Sequence, residues 1–106
     1  MKRYNVYKIA SGAYITDILD REVQQKVIRL FPSVPYWLTA EARTHFVRQW
    51  DGNSPIITEV QILDAADTKV YAEARILEKD TENLIALGVF RFVGKNKIAI
   101  KTRRKR

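Results

Sequence analysis

The chain has no cysteine and a single histidine, His45. Lack of cysteine removes disulfides, a thiolate nucleophile and thiolate zinc sites together, and one imidazole is too few for a His-rich metal centre. Neither a metal nor a cofactor is expected. No apolar run approaches the roughly 18 residues a membrane-spanning helix requires. The opening Met-Lys-Arg-Tyr-Asn leads into alternating polar and apolar residues, not the continuous apolar segment of a secretory signal. A cytoplasmic protein without a membrane span is therefore expected. Proline and glycine are scarce, at three and four residues, and no repeat or low-complexity stretch marks a boundary. A length of 106 residues provides for one domain and not for two.

Acidic residues are also in deficit, 12 against 19 Lys and Arg, for a net charge of +7. The excess is local. Lys101, Arg103, Arg104, Lys105 and Arg106 supply five of the 19 basic residues, and without them 14 basic residues face 12 acidic ones. Residues 1–100 are read as the domain and 101–106 as a basic tail. Such a tail can neutralise the phosphates of a nucleic acid or meet an acidic partner; it serves equally well as a solvated terminus that keeps the protein soluble. No arginine-glycine repeat or aromatic-rich basic motif accompanies it.

What the sequence does contain is alternation. In "ITEVQILDAADTKVYAEARILEKDTENLIALGVFRFV", from Ile57 to Val93, apolar and polar residues trade places at the period of two that half-buried strands require. Ile56, Thr58, Val60 and Ile62 fall on one face, as do Val70, Ala72, Ala74 and Ile76, and then Leu84, Ala86, Gly88, Phe90 and Phe92. Turns are expected at Asp51–Pro55, Ala65–Thr68 and Lys79–Asn83. Gly88 marks a bulge or a close backbone approach, and Lys97–Lys101 is read as a short last strand. Leu38–Trp50 fits a helix and a strand equally well. It is read as a strand because it runs through a turn-rich connector into another extended segment. On that reading Leu38, Ala40, Ala42, Thr44, Phe46 and Trp50 lie opposite Thr39, Glu41, Arg43, His45 and Gln49.

Between Asp20 and Phe31 the period changes to three and four, with Leu19, Val23, Val27 and Leu30 or Phe31 on one stripe. This predicts a helix of about three turns, capped by Asp17 or Asp20 and ended by Pro32 and Pro35. Tyr4–Ile18 is read as an extended segment with a bend at Ser11-Gly12, or as a small hairpin. One short helix cannot cover four strands, so the sheet is expected to curl around it, to pair with another copy, or both.

The order of elements and the stretch from Leu38 to Val93 resemble the thioesterase-like hot-dog superfamily, including the domain attached to some carnitine dehydrogenases. The matching features are Thr39 with Glu41, then Gly52, Leu63-Asp64 and Lys69, and Ala86 in the final strand. The resemblance covers about half of the chain. It implies an α+β fold of four to six antiparallel strands curled around one main helix, and binding of an acyl thioester of coenzyme A or an acyl carrier; the uncovered sheet face adds the expectation of a dimer or tetramer. Hydrolysis of that thioester is its further implication. The sequence departs from the family in lacking the Asp-x-Asn-Gly-His-like stretch before the helix, and Gly12 stands ahead of the predicted helix start.

Thioester hydrolysis needs a group that activates water and a donor for the oxyanion. Asp17, Asp20 and Glu41 are the candidate carboxylates; the alternatives are helix caps for the first two and a solvated strand position for the third. Arg43, His45, Arg48 and Trp50 are the candidate ligand contacts, the cations suiting phosphates. Trp50, beside Asp51-Gly52, is expected to be partly exposed, and the remaining aromatics are expected in the core.

Overall fold

The computed structural model describes Arg3, Tyr4 and residues 9–96. The predicted strand at Lys97–Lys101 and the basic tail, with its candidate nucleic-acid contacts, lie outside the described residues.

Helix α1 spans Gly12–Leu30 and is followed by β1 (Tyr36–Phe46), β2 (Ile56–Ala66), β3 (Lys69–Glu78) and β4 (Leu84–Lys95). The strands form one antiparallel sheet in the order β1-β4-β3-β2. The consecutive strands β2, β3 and β4 make the expected meander, with two residues, Asp67 and Thr68, between β2 and β3. Asp67 takes the left-handed backbone conformation that a tight turn demands, at φ 54°.

The helix starts eight residues before the predicted Asp20. Ser11 is the N-cap, its side-chain oxygen accepting a hydrogen bond from the Tyr14 amide, and Gly12 is the first helical residue. Ser11-Gly12 is thus a cap and not a bend between extended runs. Ile15 continues the buried stripe of Leu19, Val23 and Val27 by one more turn. The expectation failed because the helical stripe was started at Leu19, although Ile15 stands four residues before it and Ala13 to Ile18 does not keep the alternation of a strand. Asp17 and Asp20 accordingly lie inside the helix and cap nothing. The end falls where the prolines require: Phe31 donates to the Val27 carbonyl as C-cap, and Pro32 follows.

Leu38–Trp50 is a strand over most of its length, but its faces switch. A bulge between Thr39 and Glu41 inserts Ala40 into the pairing with β4, and an extra residue reverses the alternation. Trp37 is therefore the buried residue before the bulge, while Leu38, expected inward, is exposed. Thr39 and Ala42 both face the helix side, lining the same groove as α1.

The strand's destination is also non-local. β1 and β2 occupy opposite edges of the sheet, so residues 47–55 form a crossover and not a hairpin. Asp51 organises it: one carboxylate oxygen accepts from the amides of Asn53 and Ser54 at 2.8 and 2.7 Å and the other from the Ser54 hydroxyl at 2.7 Å. Those bonds, led by the Ser54 hydroxyl, hold its pKa below the ordinary carboxylate value. Trp50 is buried, contrary to expectation: 6% of it is exposed. It stacks on Tyr14 at 5.9 Å and donates its indole N–H to the Ser54 carbonyl at 3.0 Å. Gly52 sits at φ 84°, with a Tyr4 ring carbon 2.6 Å from where a Cβ would stand, so the turn accepts only glycine without movement.

The core lies between α1 and the inner sheet face. Val70, Ala72, Ala74, Ile76, Ala86, Phe90 and Phe92 are fully or almost fully buried there. Large and small residues alternate across the sheet: Phe90 pairs with Ala42 on one side and Ala72 on the other. Gly88 lies in a regular stretch of the ladder, between Thr44 and Ala74, and marks a close approach: a Cβ there would meet the Phe90 ring at 2.6 Å. Burying each large apolar side chain of this set contributes about 2 kcal/mol.

Candidate functional site

Over the first two turns or so of α1, the chemistry-bearing side chains face β1. Ala13, Thr16, Asp17 and Asp20 recur at spacings of three and four, which places them on one side of the helix. With Gly12 from the helix start and Thr39, Ala42 and Phe46 from β1 they line an open groove of about 680 Å³. Its walls are apolar at the Gly12–Phe46 end. At the other end the Thr39 hydroxyl donates to Asp20 Oδ1 at 2.7 Å. Between them the Thr16 hydroxyl donates to Thr44 Oγ1 at 3.1 Å, and Asp17 is held by the Arg21 guanidinium one turn along the helix.

Phe46 lies across Gly12, its ring edge 3.1 Å from the position a Cβ would take. Glycine at that position therefore keeps the ring close to the backbone. Beyond this constriction is a second hollow of about 290 Å³ that shares Gly12 and Phe46 with the first and adds Ile15, Arg48 and Trp50. The first-turn amides of Gly12 and Ala13 have no acceptor within the helix, because no preceding turn exists to supply one. Gly12 lines both hollows and Ala13 the first, at the end of the helix where the dipole favours negative charge.

The candidates named from sequence thus separate into two groups. Asp17 and Asp20 share the groove, and Arg48 and Trp50 lie in the adjoining hollow. Glu41, Arg43 and His45 project from the opposite face of the sheet, where they line a shallow hollow of about 300 Å³ with Tyr71, Val89 and Arg91. Glu41 accepts from Arg43 Nε at 3.0 Å and lies 3.7 Å from Arg91 Nε, so its nearest partners are cations on its own face. The bulge at Ala40 divides Thr39 from Glu41, which simple alternation would have kept together. Ala13, Thr16 and Ala42 were not foreseen; the signal for the first two was their helical spacing to Asp17 and Asp20, visible once the helix is known to begin at Gly12, while Ala42 reaches the groove from β1. Gly12, set aside on sequence as too early, is at the helix start.

Among the described residues no group of three His, Cys, Asp or Glu side chains is placed to hold a metal, and no helix is long and apolar enough to cross a membrane.

No family model matches the sequence, and no curated protein is found similar to it. Solved structures are. A hypothetical thioesterase protein of Streptococcus pneumoniae, solved with coenzyme A, superposes with a TM-score of 0.80 at 13% identity, over 92% of this chain and 75% of that one. A Streptococcus mutans protein bound to acetyl CoA gives 0.78 at 14% identity, over 90% and 73%. Zebra fish thioesterase superfamily member 2 gives 0.77 at 15% identity, over 87% and 65%. The chain has the α+β hot-dog fold of these structures, with one helix against a four-stranded antiparallel sheet among its described residues. The narrower likeness to the domain of carnitine dehydrogenases rests on the sequence alone.

Proposed function

We propose that this chain, with the hot-dog fold that thioesterase-superfamily structures share, binds an acyl thioester of coenzyme A or an acyl carrier and hydrolyses it. Gly12, common to both hollows, is the observation that carries the reading. The acyl group occupies the groove between α1 and β1. The thioester carbonyl lies against the amides of Gly12 and Ala13, and the pantetheine arm leaves past Phe46 toward Arg48, whose guanidinium suits a phosphate. Coenzyme A or acetyl CoA accompanies two of the similar structures named above, which supports a ligand of this class.

In this reading Asp17 is the base. It lies one turn beyond Ala13 on the same side of the helix, and Arg21 fixes its orientation. The carboxylate takes a proton from water as the oxygen attacks the carbonyl carbon. The two amides stabilise the oxyanion, and the C–S bond breaks to release the thiolate, which is then protonated. A panel of acyl-CoA compounds tests the binding step. Several should raise the melting temperature and release free thiol, whereas a panel in which none does either removes the proposal.

The groove is open along β1, an edge strand of 11 residues. Among the described residues its outward backbone groups have no sheet neighbour, and Phe46, which was expected in the core, and Val47 are 55% and 53% exposed. An edge of this length invites pairing with another strand. We read it as the surface on which a second copy closes the groove. Light scattering at micromolar concentration should report two chains or four; a monomer at all concentrations would leave the edge without this role.

A further inference from the structure

Resting on the acyl-thioester reading above, we propose that the Asp20–Thr39 end of the groove selects acyl groups whose far end carries a hydrogen-bond donor, a hydroxyl or an ammonium. The groove is not uniformly apolar. Gly12, Ala13, Ala42 and Phe46 provide walls suited to methylene groups, but at the opposite end Asp20 presents a carboxylate. The other polar side chains of the groove are already engaged within the protein, Thr16 with Thr44 and Asp17 with Arg21. Asp20 differs. Its Oδ1 accepts from Thr39, and among the described residues no cation pairs with it. A carboxylate has about four acceptor positions, so Oδ2 remains free to accept from a ligand.

Geometry limits the acyl group further. Gly12 and Asp20 are eight residues apart, about 12 Å along the helix axis at 1.5 Å per residue. One hydrogen bond of about 2.9 Å at each end leaves roughly 6 Å between the carbonyl oxygen and the terminal donor. This is the span of a short chain or a single ring and excludes a fatty-acyl tail held straight. A plain alkyl end of the same length would press a methyl group against Asp20, removing water from a charge without replacing its hydrogen bonds. A hydroxyl or ammonium replaces them, and Thr39 holds the acceptor in place.

The test compares three ligands of matched size on the full chain: pentanoyl-CoA, 4-hydroxybutanoyl-CoA and 4-aminobutanoyl-CoA, with affinity read by calorimetry and binding checked by thermal shift. The two donor-ended compounds should bind about tenfold or more tightly than pentanoyl-CoA, the scale of a hydrogen bond to a charged group. Asp20→Leu should reverse that order. Asp20→Asn should remove the advantage of the ammonium while keeping part of that of the hydroxyl. The melting temperature of each variant without ligand establishes that it folds. Pentanoyl-CoA binding as tightly as the donor-ended pair, or discrimination unchanged in Asp20→Leu, overturns this inference and leaves acyl-thioester binding intact. Failure of all three ligands to bind overturns both.

Discussion

Asp17→Asn should lower thioester turnover by about 10²- to 10⁴-fold, the range expected for loss of a positioned base, with acyl-CoA affinity changed much less. Asparagine keeps the size and the hydrogen-bonding reach of the side chain but has no basic carboxylate to take the proton from water. The amides of Gly12 and Ala13 belong to the backbone and survive the substitution, so the carbonyl should still be held. Single-turnover hydrolysis measured beside calorimetric affinity separates the two effects. Glu41→Gln is the informative companion. Glu41 was an equal candidate on sequence, but it projects from the far face between Arg43 and Arg91. Turnover that survives Asp17→Asn and collapses in Glu41→Gln would move the chemistry to the other side of the sheet and refute the assignment.

Phe90→Ala should cost about 3–5 kcal/mol, enough to lower the melting temperature by more than about 10 °C in a chain of this size. The ring is fully buried, and its lateral neighbours Ala42 and Ala72 are too small to fill the space it would leave. Gly88 makes the effect diagnostic. A methyl group at that position would lie 2.6 Å from the Phe90 ring and 3.3 Å from the Arg43 carbonyl oxygen. Gly88→Ala alone should therefore destabilise by about 1–3 kcal/mol through overpacking. In the Phe90→Ala background the same methyl enters the vacated space, and its cost should shrink or change sign, a coupling that chemical denaturation of the four proteins would measure. Strictly additive costs would mean that the ring and the glycine do not compete for one volume.

Much of the framework follows from periodicity alone. The inward sets on β2, β3 and β4, the turns between them and the proline stop after α1 are all properties of neighbouring residues, and period two or period four reports them directly. The likeness to hot-dog proteins came from the same local order. The absence of cysteine and the near-absence of histidine also narrowed the chemistry to carboxylates before any geometry was known.

Tertiary structure decided three further matters. The segment after Ser11 became helix because the sheet offers Ile15 a place on the buried stripe, an advantage that local alternation cannot register. The bulge at Ala40 turned Thr39 toward Asp20 and left Glu41 on the far face, since one extra residue reverses every side chain that follows and nothing in the local pattern announces it. Trp50 was buried because the crossover brings it against Tyr14, a partner 36 residues earlier in the chain. The carboxylates could be named from the sequence; which of them share a groove depends on contacts between segments far apart in the chain, and those exist only once the sheet and helix have packed.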